Sequence, residues 1–215
     1  MKTPHTILFF ALASLVLAGA CTSTPSGKEE EAAVAAAPAK EVSATAEEIP
    51  EAVRQRLREA TVDFGGALKA VLVKELSEKG PAAAIDVCSQ VAPKLALEKS
   101  SDQLVLRRIS FKARHPGDAP TDFEAEYLAR LEQLHVEGQP AEELFVPIEE
   151  GERRGVHYFK PIVVEAACLL CHGPSESLDP QVRRILDERY PQDHARGYML
   201  GDFRGAFSTR LYFDE

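Results

Sequence analysis

Hydrophobic positions in the first part of the chain predict two consecutive helices. Residues Ile49–Glu78 carry apolar side chains at helical spacing, with a soft break expected at Gly65-Gly66. Gly80-Pro81 ends this helix, and Pro81 suits the first turn of a second helix over Ala82–Leu97. The apolar positions of the second helix cluster on one face and include Cys88. We therefore expect the Cys88 side chain to point inward.

The pattern changes after residue 103 and predicts strands mixed with helices. Thr121 can cap a helix that extends to about His135, with Glu124 completing a capping box. The side chains expected to face the core there are Phe123, Tyr127, Leu128 and Leu131. Another helix is expected over Asp179–Tyr190, and the predicted strands are Leu104–Phe111, Leu144–Ile148, Arg154–Glu165 and Gly205–Phe213. This order of elements predicts an α+β fold with an antiparallel sheet.

An apolar run near the start is typical of an export signal. Ile7–Leu17 is about eleven residues long, which suits a signal-peptide core but falls short of the ~20 residues that span a bilayer. It leads through Ala18-Gly19-Ala20 into Cys21, as in a lipobox. We expect residues 1–20 to be a lipoprotein signal peptide and Cys21 to be lipidated. The alternative is an ordinary cleaved signal followed by an incidental cysteine.

Composition separates a tether from a domain. Residues 21–50 are rich in Ala, Glu, Ser, Thr and Pro and contain no aromatic residue, so they bury too little apolar surface to offset the entropy lost on ordering. We expect a flexible tether there and one domain in residues 51–215. The formal net charge is −9 and no basic cluster is present, so nucleic-acid binding is disfavoured.

One motif points to specific chemistry, the C-x-x-C-H sequence Cys168-Leu169-Leu170-Cys171-His172. Two thiols three residues apart on a helical turn can add to the two vinyl groups of one haem, and the next residue offers an imidazole to the iron. With four Cys and six His in the chain, about 0.002 such motifs are expected by chance. The motif therefore predicts one covalent haem c held by Cys168, Cys171 and His172.

Three other sites compete for the same residues. A structural Cys168–Cys171 disulfide would suit an oxidising compartment. A thioredoxin-like redox pair would need a βαβ context and a following helix, whereas Gly173-Pro174 follows here. A zinc site would need four ligands, and the sequence offers no second pair of suitable spacing. Haem attachment is the leading hypothesis, and these sites remain its alternatives.

The motif leaves the second axial ligand open. The candidates are Met199, Cys88, His115, His135, His157 and His194. Cys88 has no disulfide partner once the other three cysteines are assigned, and a lone buried cysteine is most often a small core residue. We expect Met199 to contribute to packing. We expect the four histidines to lie on the surface, in loops or at helix ends.

Several sequence blocks in a fixed order resemble one family. They are Ile85–Cys88, Arg108–Pro116, Tyr158–Pro161, Cys168–Pro174, Tyr190–Tyr198 and Gly201–Ser208. Together they resemble the exported single-haem c-type domains with a PAS-like fold, which occur alone or as the sensory part of bacterial signalling proteins. The resemblance covers about Gln55–Leu211. It implies a PAS-like antiparallel sheet with flanking helices, preceded by N-terminal helices.

The resemblance also implies a ligand. It implies that Cys88 faces the haem opposite His172 and binds the iron. Two positions depart from the family, because His115 and Asp118 stand where it usually has Asn. Polar contacts of that loop are therefore expected to differ, and His115 becomes a rival ligand.

Haem propionates need cationic or hydrogen-bonding partners when they are partly buried. Arg108, Arg114 and Arg204 lie in the matching blocks and are the candidates. Surface ion pairs are the alternative role for each of them.

A haem with both axial positions filled suits two functions. The first is electron transfer by a membrane-tethered periplasmic cytochrome to an unidentified redox partner. The second is redox or gas sensing, in which Cys88 leaves on reduction, NO, CO or O₂ binds, and a partner protein receives the signal. No output domain follows the haem segment, so electron transfer is the expected function and sensing the alternative.

Enzymatic activity is not expected. A peroxidase would need an open iron site and a distal acid or base, and His194 or His115 could serve only if Cys88 were not a ligand. Thr22 after Cys21 is not the aspartate that retains lipoproteins in the inner membrane, so we expect an outer-membrane anchor facing the periplasm.

Overall fold

The computed structural model of the chain describes residues 49–213. The predicted signal peptide, the predicted lipidation site Cys21 and the predicted tether up to residue 48 lie outside the described residues.

The long N-terminal helix α1 spans Glu51–Asp86 and is kinked at Gly80. Gly80 has φ 79° and ψ 176°, which glycine adopts without steric cost, and the predicted boundary between two helices lies there. The predicted break at Gly65-Gly66 is wrong, because α1 continues through both residues. Gly65 instead allows close packing, since a Cβ atom there would lie 2.9 Å from Cζ of Phe207.

A π-helical segment, Val87–Val91, follows α1 and leads into α2, Ala92–Lys99. The Ala92 N–H donates to the Val87 carbonyl, five residues back. A π turn places an extra residue in the helix and is frequent at functional sites. Cys88 lies in this segment and is partly buried. The second predicted helix is therefore present, but it is not α-helical around Cys88.

Four strands form one antiparallel sheet in the order β1-β4-β3-β2. Their bounds agree with the predicted strands to within a few residues, and they are β1 Leu104–Ile109, β2 Leu144–Glu150, β3 Arg153–Val163 and β4 Phe203–Tyr212. The register pairs Ile109 of β1 with Ala206 of β4, and Ile162 of β3 with Gly205. A register shift after Ile162 ends the regular pairing close to the C-x-x-C-H motif.

Helices cover both faces of the sheet. Oγ1 of Thr209 lies 2.7 Å from Oγ1 of Thr61 in α1, whereas the hydroxyl of Ser208 donates to Glu124 of helix α3, Asp122–Val136. Adjacent residues of a strand point to opposite faces, so α1 and α3 lie on opposite sides of the sheet. The predicted α+β class, an antiparallel sheet with flanking helices preceded by N-terminal helices, is confirmed.

Helix α3 begins at the predicted capping box. The Thr121 hydroxyl accepts a hydrogen bond from the Glu124 N–H, and the Glu124 carboxylate accepts one from the Thr121 N–H. The helix buries Leu128 and Leu131, and Tyr127 packs against the same core. The inward prediction is wrong for Phe123, which is 39% exposed. One face of its ring covers His157 instead, with ring centroids 5.5 Å apart.

Two short helices lie between β3 and β4. Helix α4, Leu169–His172, carries the C-x-x-C-H motif, and α5, Pro180–Arg189, packs on Ile85 of α1. Asp179 caps α5 by accepting hydrogen bonds from two of its N–H groups. Among residues 49–213, no helix combines the length and apolar character that a membrane span requires.

Candidate functional site

The C-x-x-C-H motif forms a tight helical turn. A 3₁₀ turn over Ala166–Cys168 runs directly into α4, and the Gly173 N–H closes the turn on the Leu169 carbonyl. Both motif cysteines are free thiols and are partly buried. Burial raises the pKa of the Cys171 thiol to about 11 despite the nearby positive charge of Arg114, so this thiol is protonated at neutral pH.

This turn forms part of a cleft with an empty volume of about 880 Å³, including the part open to solvent. The cleft lies between α1, the end of β1, the end of β3 and α4. Its apolar lining includes Leu72, Leu76, Ile85 and Ile162. All seven residues that the sequence nominated for a haem also line it: Cys88, Arg108, Arg114, Cys168, Cys171, His172 and Arg204. Residues separated by more than one hundred positions therefore meet at a single site.

His172 is oriented by a backbone carbonyl. Its Nδ1 lies 2.7 Å from the carbonyl oxygen of Ala195, which can only accept, so Nδ1 carries the proton. Burial lowers the pKa of His172 to about 3, and the positive charges of Arg204 and Arg114 contribute. The imidazole is therefore neutral, and Nε2 holds a free lone pair.

Arg114 hydrogen-bonds to groups of the protein on both sides of the motif turn. Its Nε donates to both carboxylate oxygens of Asp193, at 3.1 and 3.2 Å, and its Nη2 donates to the carbonyls of Cys171 and Ala195, at 2.6 and 3.3 Å. Burial alone would raise the pKa of Asp193, but hydrogen bonds from Arg196 and Arg114 outweigh it and the pKa is lowered. Arg114 thus ties the loop after α5 to the motif turn.

Two other arginines border the cleft with weaker ties. Arg204 donates through Nη1 to the hydroxyl of Ser110 at 2.6 Å, and its guanidinium lies over the ring of Tyr198, 5.2 Å from the centroid. Burial lowers the pKa of Arg204. Arg108 lies 3.8 Å from the carboxylate of Asp118, which is longer than a hydrogen bond. Both cations are therefore available to an anionic group at this end of the cleft.

Cys88 lies between two cavities. It lines the main cleft and also a neighbouring cavity with an empty volume of about 540 Å³. Arg108 and Asp118 also line both the cleft and this cavity. His115, one of the two departures from the family pattern, lines the second cavity but not the main cleft. Its Nδ1 accepts a hydrogen bond from the Gly117 N–H at 3.0 Å.

The remaining ligand candidates lie away from the cleft. Met199 is 60% exposed, so the expectation that it contributes to packing is wrong. His135 lies at the end of α3, 2.8 Å from the Gly201 carbonyl, and His194 is exposed. The expectation of a surface position is wrong for His157, which is buried in β3 with its Nε2 2.7 Å from Oγ of Ser208.

The described residues also bear on the alternative uses of the motif. Cys88, Cys168 and Cys171 are all free, so residues 49–213 contain no disulfide. In the same range, no three His, Cys, Asp or Glu side chains are grouped closely enough to hold a metal ion among themselves.

Asp193, the Ala195 carbonyl and Tyr198 were missed as site residues. Tyr198 is buried and lies edge-on to His172, with ring centroids 6.3 Å apart. The block Tyr190–Tyr198 contributed to the resemblance, but no local pattern marks a backbone carbonyl as a partner. These residues are assigned to the site by their contacts in the structure, above all the hydrogen bond between the His172 ring and the Ala195 carbonyl.

Comparison with known proteins gives the family. A family model described as Tll0287-like matches residues 28–211. Among solved structures, the crystal structure of the cyanobacterial heme-protein Tll0287 matches with 25% sequence identity and a TM-score of 0.51. The match covers 77% of this chain and 93% of that one. No curated protein matches. The family resemblance is confirmed, and the chain belongs to the Tll0287-like family.

Proposed function

We propose that this chain is a c-type cytochrome that carries one haem in the main cleft, attached through Cys168 and Cys171. The observation that supports the proposal most is that the C-x-x-C-H turn and Cys88 line the same cleft. The similar cyanobacterial protein is described as a heme-protein, which supports the same cofactor here.

The donor set fits a haem. Nε2 of the neutral His172 imidazole is a suitable axial ligand, and Cys168 and Cys171 have the spacing that thioether attachment requires. The apolar lining suits the macrocycle. Arg108 and Arg204 supply positive charge for the propionates, whereas Arg114 directs its donors to the protein.

Cys88 is the proposed second axial ligand. It is the cleft-lining cysteine outside the motif, and the π segment that carries it belongs to the wall formed by α1. A thiolate at this position would donate negative charge and favour the oxidised form, giving a potential below that of a His/Met cytochrome.

Electron transfer is the function that this site supports best. A haem bound here would supply reversible one-electron exchange, and the chain would fix both axial ligands and exclude substrates from the metal. No catalytic role is proposed. The lipidated Cys21 would tether the domain to the periplasmic face of the outer membrane, where an unidentified redox protein would exchange electrons with it.

Sensing is the second candidate, and the neighbouring cavity favours it. Cys88 separates that cavity from the main cleft, so displacement of its side chain would give a small gas molecule a path to the distal side. The signal would then pass to a partner protein.

Visible spectra of the haem-loaded full chain test the proposal. We expect the ferrous pyridine complex to have the band positions of a haem with two thioether bonds, and we expect neither CO nor NO to change the ferrous spectrum. Prompt binding of CO or NO in the ferrous state would favour sensing over electron transfer as the function. Absence of a covalent haem after export would overturn the proposal, and His172→Ala should produce that loss or an altered ferric spectrum.

A further inference from the structure

A buried charged network holds the back of the His172 ring. Nδ1 of His172 donates to the Ala195 carbonyl over 2.7 Å, and Nη2 of Arg114 donates to the same oxygen over 3.3 Å. One carbonyl oxygen therefore accepts hydrogen bonds from both an imidazole and a guanidinium.

Arg114 also fixes both chain segments that orient His172. It donates to the carbonyl of Cys171, the residue before His172, at 2.6 Å. It pairs with Asp193, whose carboxylate accepts the Ala195 N–H at 2.9 Å. The Arg114 and Asp193 side chains are only 7% and 2% exposed. Because both side chains are buried and each bonds to the backbone that contacts or precedes His172, this pair holds the two segments in one arrangement.

The geometry points to the Arg114–Asp193 pair as the positioning device that sets the donor strength of His172 and, through it, the reduction potential. This inference rests on the proposed function, because it takes His172 as the axial ligand. Hydrogen bonds to the outer nitrogen of a metal-bound histidine tune both its orientation and its basicity.

Two effects of Arg114 act in the same direction. A carbonyl that already accepts from a guanidinium accepts less strongly from the imidazole, so His172 keeps less negative character. The Arg114 guanidinium also contacts the carbonyl of Cys171, next to His172 in sequence, and that of Ala195, which accepts from the His172 ring, so its charge disfavours added positive charge there. Both effects disfavour the oxidised form, so Arg114 raises the potential.

The test replaces Arg114 in the haem-loaded full chain. Arg114→Gln should lower the midpoint potential, with the equilibrium constant for reduction falling about tenfold, or about 59 mV for one electron. The ferric electron paramagnetic resonance g values should also move, since they report the strength of the axial ligands. If Arg114→Gln does not mature, Arg114→Lys keeps the charge with fewer donors and should show a smaller shift in the same direction.

Arg184→Gln is the matched control. Arg184 lies on α5 outside this network, with its Nε 4.0 Å from the carboxylate of Glu188 and both side chains exposed. Its variant also loses one positive charge and should keep the parental potential and g values. Parental values in both Arg114 variants would overturn the inference, as would an equal shift in Arg184→Gln. Absence of haem from the parent chain would overturn the proposed function instead, so the two failures are distinguishable.

Discussion

At the scale of single residues, Cys88 carries the assignment that is most open to direct test. Cys88→Ala removes the proposed second ligand without changing the covalent attachment. We expect the ferrous variant to bind CO, because one axial position is then open. The measurement is the visible spectrum before and after CO is added.

His115→Ala is the control for that variant. His115 borders the neighbouring cavity but not the main cleft, so its loss should leave the parental spectrum unchanged. A spectrum altered by His115→Ala and unaltered by Cys88→Ala would identify His115 as the ligand.

His157 should make folding stability depend on pH. Burial lowers its pKa to about 3, with the charges of Arg210 and Arg107 contributing, so its 3.9 Å approach to Glu124 is not an ion pair. Below about pH 6.5 the unfolded chain binds a proton that the folded chain does not. The free energy of unfolding should therefore fall as the pH drops from about 6.5 towards 3, at about 1.4 kcal/mol for each unit of pKa difference.

Denaturant titrations over that pH range measure the effect. His157→Gln should reduce the slope of stability against pH, because glutamine does not titrate in this range. His135→Gln controls for the loss of one partly exposed imidazole. An unchanged slope in His157→Gln would show that other groups cause the pH dependence.

Sequence patterns nominate site residues where the chemistry is local in sequence. The spacing of Cys168, Cys171 and His172 nominated the motif because attachment and ligation require neighbouring residues. The partner of His172 lies more than twenty positions away and is a backbone oxygen, for which no side-chain pattern exists. Arg114 was nominated for its charge, but only the structure gives the protein groups to which it donates.

At the scale of elements, helix α1 offers a matched pair of glycines. A Cβ atom at Gly65 would lie 2.9 Å from the Phe207 ring, whereas one at Gly66 would have no heavy atom within 4 Å. Gly66→Ala should stabilise the fold by about 0.5–1 kcal/mol, because alanine loses less backbone entropy in a helix. Gly65→Ala should destabilise it by about 1–3 kcal/mol through overpacking.

Thermal and denaturant unfolding of the two variants measures this difference. Equal stabilisation by both substitutions would show that the Phe207 ring moves aside without cost. It would also mean that contact between α1 and β4 does not require a glycine at position 65.

The sequence predicted where elements lie better than how they are shaped. Turn residues and caps, such as Gly80-Pro81 and Thr121, are local signals, and the corresponding boundaries agree with the structure. The π segment at Val87–Val91 has no such local signal. Val87 of this segment packs with Leu68 and Ala92, and a linear pattern does not record such contacts.

At the scale of the whole molecule, the cleft and the sheet should respond differently to loss of the haem. The sheet has packed cores of its own, including Phe159 and Ala206 on one face and Tyr158 and Leu211 on the other. A Cys168→Ser/Cys171→Ser double variant should lose amide protection in residues 81–99 and 166–178, whose side chains line or support the cleft. β3 and β4 should keep theirs.

Hydrogen exchange followed by mass spectrometry makes the comparison. Cys88→Ala loaded with haem is the control, because it keeps the covalent attachment and should retain protection in both segments. Uniform loss of protection in the double variant would mean that the cleft and the sheet unfold as one unit.

The order of helices and strands predicts the fold class. It does not predict which helix covers which face of the sheet. That α1 and α3 cover opposite faces depends on Thr209 and Ser208, whose partners lie more than eighty positions away. Strand order likewise depends on pairing between distant segments, so sequence periodicity could give the number of strands but not their neighbours.

The strand order has a consequence for biogenesis. Of the four strands in the described residues, β4 is the last along the chain, yet it lies between β1 and β3 and pairs with both. About one hundred residues therefore separate β1 from its partner β4. Pairing of strands so far apart in sequence slows folding. The C-x-x-C-H turn precedes β4, so it emerges while the sheet is still incomplete. A chain that stops before Phe203 would not lose an edge strand; it would separate β1 from the rest of the sheet.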